Sequence, residues 1–149
     1  MQKEKLNIAI GSDESSEICN LVLKYLDENH YSYQKFGALK KGDDSNWVKI
    51  GHKVAAKVAA KEFDQGILLC WTGTGISIVA NKTKGIRAAL CFDKGVAEGA
   101  RKWNDANILA ISNGYTEKKK LKSILDAWFL TKPSKIVEEK QDIERIKKL

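Results

Sequence analysis

The sequence predicts an α/β domain with an open, doubly wound parallel sheet of five strands flanked by helices. Three observations predict it. Short apolar runs alternate with segments of helical period, the run at 65–70 has the unbroken apolar character of a strand buried on both faces, and Gly, Ser, Asp or Asn closes several runs. Residues 6–10 form the first strand, which Gly11, Ser12 and Asp13 turn into a helix whose apolar face is Ile18, Leu21, Val22, Tyr25 and Leu26. Residues 31–36 alternate weakly as the second strand. A polar loop through Gly37, Gly42 and Asp43 precedes a helix from about Trp47 to Glu62, and residues 65–70 follow as the third strand. A glycine-rich turn and short helix lead to a strand at 86–91, a helix from Asp93 to about Lys102, and a fifth strand at 108–111. A helix is expected over 116–130, and Pro133 reads as the first residue of a charged terminal helix running towards Leu149.

Size and composition fit one domain, residues 1–149. With 43% hydrophobic residues, 1 Pro and 11 Gly, the chain is neither disordered nor of low complexity. The formal net charge of +7 invites an anionic partner, yet residues 116–149 hold ten basic and six acidic residues, so more than half of the excess lies on terminal helices. Acids interrupt the basic residues and no recognition module accompanies them, so nucleic acid is not the expected partner. Cys19, Cys70 and Cys91 form no CxxC pair, which indicates neither a disulfide framework nor a zinc site and suits a reducing cytoplasm. The first sixteen residues hold no apolar core of a signal peptide, and no stretch approaches a membrane span.

Ligands of such sheets bind beyond the carboxyl ends of the strands, and one of those ends is chemically distinct. In ILLCWTGTGISIVANK, residues 67–82, a buried strand delivers the Cys70 thiol into a turn of Trp71, Thr72, Gly73, Thr74 and Gly75 before a helix starts. Backbone amides and the positive end of that helix suit an oxyanion, phosphate or carboxylate. The turn is neither GxGxxG nor GxxxxGK[ST], which argues against a dinucleotide or ATP. A thiol beside a helix N-terminus is a candidate base or nucleophile, although a cysteine at a strand end also serves as a small buried hydrophobe. His30 and His52 read as surface residues, so a cysteine hydrolase with an activating histidine is not expected. Asn81 and Lys82 read as helix-end residues, Arg87 as an ion-pair or interface residue, and Asp105 and Asn107 as turn residues.

IAIGSD at the first strand, EFDQGILLC and TGTGISIVANKTKGIRAALC in the middle, and ARKWNDANILAI near the fifth strand resemble the family of ribose 5-phosphate isomerase B and the galactose 6-phosphate isomerase subunits. With weaker similarity between them, these stretches cover most of residues 6–130. The resemblance implies a Rossmann-like fold and aldose–ketose isomerisation of a sugar or sugar phosphate through an enediolate, with no metal or organic cofactor. It implies homodimers or a dimer of dimers with active sites between subunits, and a C-terminal helix extending to a partner. By the same resemblance Cys70 is the base, Thr72 assists substrate binding or ring opening, Asp13 contacts the sugar, and the amides of Gly73, Thr74 and Gly75 with the side chain of Asn104 stabilise the enediolate.

The sequence departs from the family pattern around this one site. Glu14 stands where a histidine follows the first acid, and is the candidate to replace it in proton transfer. Trp71 replaces a glycine after the cysteine, and Trp103 replaces the histidine before Asn104, so both are candidates to shape a changed pocket. Asn113 takes the position of an arginine after the fifth strand, while Lys135 and Glu139 correspond to an arginine pair. A lysine supplies a point charge without the bidentate geometry of guanidinium. A non-catalytic sugar-binding or regulatory protein of the same fold is the competing expectation, because fold alone does not secure activity.

Overall fold

The computed structural model describes residues 5–149; the first four residues of the stretch read for a signal peptide lie outside it. Elements follow in the order β1 (Asn7–Ser12), α1 (Glu17–Glu28), β2 (Ser32–Gly37), α2 (Trp47–Ala59), β3 (Gln65–Cys70), α3 (Thr74–Asn81), β4 (Ala88–Leu90), α4 (Lys94–Asn104), β5 (Ile108–Ser112), α5 (Lys118–Leu130) and α6 (Val137–Lys147). All strand pairs are parallel and the sheet order is β2-β1-β3-β5-β4. The chain departs in opposite directions from the β1–β3 pair, which makes the crevice beyond their carboxyl ends the topological switch point.

Period-two alternation divides the core. Ile8, Ile10, Ile67, Leu69, Leu109 and Ile111 face one helix layer with Val22, Leu26, Ala97, Ile124 and Trp128. Ala9, Leu68, Cys70, Ile108 and Ala110 face the other with Ile50, Val54, Val58, Ile76 and Ala80. β3 is buried along its whole length, which is why its sequence shows no polar alternation. The Trp128 indole reaches Gln65 Oε1 at 2.9 Å, so the largest fully buried side chain also satisfies a buried amide at the opposite end of β3 from Cys70.

Local chemistry sets the element boundaries. Ser16 caps α1 by accepting from Cys19 N–H, Asn46 caps α2 through Val48 and Lys49 N–H, and Asp93 caps α4 through Val96 N–H. Two sequence expectations require correction. Pro133 does not begin the terminal helix: it lies in an irregular segment in which Ser134 N–H donates to Lys102 O, and α6 starts at Val137 after Ser134 Oγ has accepted from Ile136 N–H. β4 is shorter than the apolar run at 86–91, because Arg87 turns its N–H to the Asn107 side chain and Asn81 takes both N–H and C=O of Ala88. α6 packs against α4 of its own chain with Ile143 buried.

Candidate active site

Three strand ends converge at the switch point. Register pairs Ser12 with Leu69 and Cys70 with Ser112, so Asp13, Cys70 and Asn113 emerge from adjacent strands about 4.8 Å apart. Cys70, 6% exposed, is the one thiol of three with any access, since Cys19 and Cys91 are fully enclosed. Burial, reinforced by the Asp93 charge, pushes Cys91 up to about 12, which keeps it a neutral thiol.

Beyond Cys70 the chain turns through Trp71 and Thr72 into Gly73, which has φ +77° at the start of α3. A Cβ there would stand 2.5 Å from Leu90 Cδ1 and 3.0 Å from the Ile111 carbonyl carbon, so both conformation and space demand glycine. The Thr72 and Thr74 hydroxyls lie 2.7 Å apart, and Thr74 N–H donates to Thr72 Oγ1 at 3.3 Å. Gly73 at the N-cap has no side chain to cap α3, so apart from the Thr74 N–H taken by Thr72 the helix start beside Cys70 receives no side-chain cap, an arrangement suited to an anion. The Trp47 ring, at the start of α2, covers Gly75.

On the β1 side, Asp13 Oδ1 and Glu14 Oε1 are both shielded from solvent without a hydrogen-bond partner. Desolvation raises the Asp13 carboxyl above the ordinary aspartate range, against a smaller lowering from its own backbone amide. Buried acceptors are normally satisfied, so two orphans side by side at a strand end point to a hydrogen-donating ligand.

Asn113 directly follows β5, as expected, and its side chain is engaged within the protein. Its Nδ2 donates to Ser12 Oγ at 3.1 Å, while Oδ1 accepts from Ser16 Oγ at 2.7 Å and from Cys19 Sγ at 3.3 Å. Its backbone N–H donates to Cys70 O at 2.8 Å. The carboxamide thus clips the end of β1 to the start of α1, and the backbone of Asn113 holds the end of β3. Trp71 lies against Gly114, where a Cβ would come within 2.6 Å of the indole, and meets Tyr115 edge-on at 6.1 Å. Trp71 is 58% and Tyr115 74% exposed, which makes an aromatic wall on the rim. Sequence reasoning missed Tyr115, Trp47 and the Ser12–Asn113–Ser16 clip; Tyr115 lies four residues beyond the predicted strand end.

Trp103, Asn104 and Lys135 are not brought to Cys70. α4 runs antiparallel to the strands, so its last residues lie at the amino ends, about 16 Å away along the five residues of β5. Trp103 Nε1 donates to Glu139 Oε1 at 3.2 Å, the Lys102 ammonium lies 5.3 Å from its ring, and the bond from Ser134 N–H to Lys102 O brings Lys135 into the same neighbourhood. Glu139 Oε2 is a further buried acceptor without a partner. Beneath this rim Arg87 pairs with Asp105, in keeping with its reading as an ion-pair residue, Arg101 joins the same carboxylate, and Asn107 Oδ1 accepts from Arg87 N–H. Among the described residues, no His, Cys, Asp and Glu cluster is placed to hold a metal, and no helix is long and apolar enough to cross a membrane.

The family model for ribose/galactose isomerases matches residues 8–149. The chain is 38% identical over 124 residues to ribose-5-P isomerase B of Listeria innocua, covering 83% of each. It is 34% identical over 124 residues to D-erythrulose-4-phosphate isomerase of Pectobacterium atrosepticum, covering 83% of this chain and 82% of that protein. The solved ribose-5-phosphate isomerase B of Clostridium thermocellum superposes with a TM-score of 0.85 at 33% identity, covering 96% of both chains. With a matching family model, similar relatives and the same five-stranded fold, this chain belongs to the ribose/galactose isomerase family.

Proposed function

We propose that the protein is an aldose–ketose isomerase acting on a sugar or sugar phosphate, with Cys70 as the base. The observation that carries this reading is the junction of β3 and α3, where a nearly buried thiol adjoins the glycine-capped start of α3 and the orphan carboxylate oxygens of Asp13 and Glu14. As thiolate, Cys70 removes the proton from the carbon beside the carbonyl, and the electron pair passes to the carbonyl oxygen as an enediolate. The amides of residues 73–75 hold that charge, and Thr72 fixes the adjacent hydroxyl. Asp13 and Glu14 accept from sugar hydroxyls, and Glu14 passes the proton between oxygens. Return of a proton to the neighbouring carbon completes the exchange without any change in overall oxidation state.

In this reading the Trp103, Asn104 and Lys135 rim completes the site of a second copy, with Asn104 adding an amide donor to the enediolate. A homodimer or a dimer of dimers then carries two composite sites for each pair of subunits. The test is turnover of tetroses, pentoses, hexoses and their phosphates in heavy water. At least one sugar should gain deuterium at the carbon beside the carbonyl. Binding with no exchange into any sugar rejects the isomerase and leaves a non-catalytic homologue.

A further inference from the structure

We propose that Asn113 is a positioning residue for the reaction: it ties Cys70 and Glu14 into one frame, so that the proton between the two sugar oxygens moves before the enediolate falls back to its parent sugar. The inference rests on the isomerase reading and assigns a role within it.

Asn113 reaches both proton-handling groups. Its backbone N–H donates to Cys70 O at 2.8 Å, which fixes the main chain that carries the base. Its carboxamide reaches Glu14 by two routes. Nδ2 donates to Ser12 Oγ at 3.1 Å, and that hydroxyl donates to Glu14 O at 2.6 Å and accepts from Glu14 N–H at 3.3 Å. Oδ1 accepts from Cys19 Sγ at 3.3 Å, and the same thiol lies 3.5 Å from Glu14 O. Ser12 and Cys19 are fully enclosed, and Asn113 is 9% exposed. Both backbone polar groups of Glu14 are thus held from within the protein, while its Oε1 is shielded and has no partner. A buried polar network whose members satisfy one another is rigid, and this one holds the main chain of Glu14 while leaving that oxygen for a ligand.

The hub needs a side chain that donates on one edge and accepts on the other. A carboxamide does both, whereas a guanidinium has donors only and cannot accept from Ser16 and Cys19. Asparagine, at the position where the family pattern has arginine, therefore turns its polar edges inward.

The enediolate has two fates. Cys70 takes the proton from the hydroxyl-bearing carbon, the C–H electron pair becomes the C=C bond, and the carbonyl electron pair moves to its oxygen. If the thiol returns a proton to the same carbon, the parent sugar is restored. Conversion requires that the hydroxyl proton first pass through Glu14 to the former carbonyl oxygen, after which a proton adds to the former carbonyl carbon and the other oxygen becomes the carbonyl. The first fate needs Cys70, and the second also needs Glu14 within hydrogen-bond reach.

Heavy water separates them on whichever sugar of the panel above the wild-type protein converts fastest. Return is read as deuterium in the recovered starting sugar, and conversion as isomer formed. Asn113→Ala keeps the backbone bond to Cys70 and removes the carboxamide. Conversion should fall by about tenfold or more, the scale of a slightly misplaced catalytic group, with KM little changed. Exchange into the starting sugar should persist, so the ratio of exchange to conversion rises. Glu14→Gln should raise the same ratio. Ser12→Ala cuts one route from Asn113 to Glu14 and should raise it less, which keeps the test open where Asn113→Ala does not fold. Exchange and conversion falling in step, a loss confined to KM, or a ratio unmoved by Glu14→Gln overturns the role while leaving the isomerase intact. Absence of exchange by the wild-type protein into every sugar overturns the isomerase reading and this role with it.

Discussion

The two ends of the sheet use the same polar vocabulary in opposite ways. At the amino ends Arg87, Arg101, Asp105 and Asn107 are tied to one another and to nearby carbonyls, with Asp105 paired to both arginines and to Lys147, and Arg101 Nε is the one atom of these four side chains that is buried without a partner. At the carboxyl ends Asp13 and Glu14 each keep an unpartnered oxygen beside a thiol and the glycine-capped start of α3. Paired polar groups under low exposure stabilise a fold, whereas unpaired ones cost stability and remain where a ligand completes them. The contrast is what the proposed function rests on, with ion pairing dominant at one end and the proposed chemistry at the other. The exposed Trp103 and Asn104 rim is the one part of the amino end that the contrast does not explain within a single chain.

The sharpest way to break this comparison is to remove the thiol. Cys70→Ala should lower kcat by a hundredfold or more, on the order of a general base's contribution, with little effect on folding because one sulfur is lost from a site at the edge of the core. Mixing it with Asn104→Ala probes the unexplained rim. Subunits that reassort at random form half mixed dimers, each with one intact composite site, so activity should recover to about a quarter of the wild-type value. No recovery after verified subunit exchange would place both residues in separate functions.

A variant at the other end should do the reverse. Asp105→Ala leaves Arg87 and Arg101 without their shared carboxylate and places alanine at φ +45°, where a side chain without a local hydrogen bond is strained. Denaturant unfolding should show a loss of about 2–3 kcal/mol, below the cost of breaking a fully buried pair because these groups keep some solvent contact. Residual folded enzyme should retain its kcat. A large fall in kcat with unchanged stability would erase the distinction between the ends.

Much of this division was legible in the sequence. Continuous apolar runs revealed the parallel sheet, and the CWTGTG turn marked the junction of β3 and α3 as the candidate site, because burial and positive φ leave strong marks on residue type. The terminal helix start was not legible. Proline is well suited to a first helical position, but here the bond from Ser134 N–H to Lys102 O, made by tertiary contact, ties the segment to α4 and the helix starts only at Val137. Asn113 shows the same limit, since its position beyond β5 was clear while its carboxamide's partners, Ser12, Ser16 and Cys19, lie some hundred residues away in the chain. The second rim was legible only as sequence similarity; its separation from Cys70 follows from the antiparallel run of α4.

The mildest perturbation of the contrast is pH. Desolvation makes the charged form of Asp13 less favourable in the folded protein, so on acidification it takes its proton at a higher pH than an exposed aspartate, whose pKa is about 4. If its carboxylate must accept a sugar hydroxyl, kcat/KM should fall on an acid limb above that value, and Asp13→Asn should remove the limb at the expense of overall rate. The stability effect has a defined sign. The folded protein binds this proton more tightly than the unfolded chain, so the group's contribution to stability declines as pH rises from the unfolded value through the folded one. Asp13→Asn should therefore gain stability at neutral pH relative to wild type, and the gain should vanish once both states of the wild-type carboxyl are protonated. An unchanged acid limb with the expected stability gain would show that Asp13 is a desolvated carboxylate without a part in substrate binding.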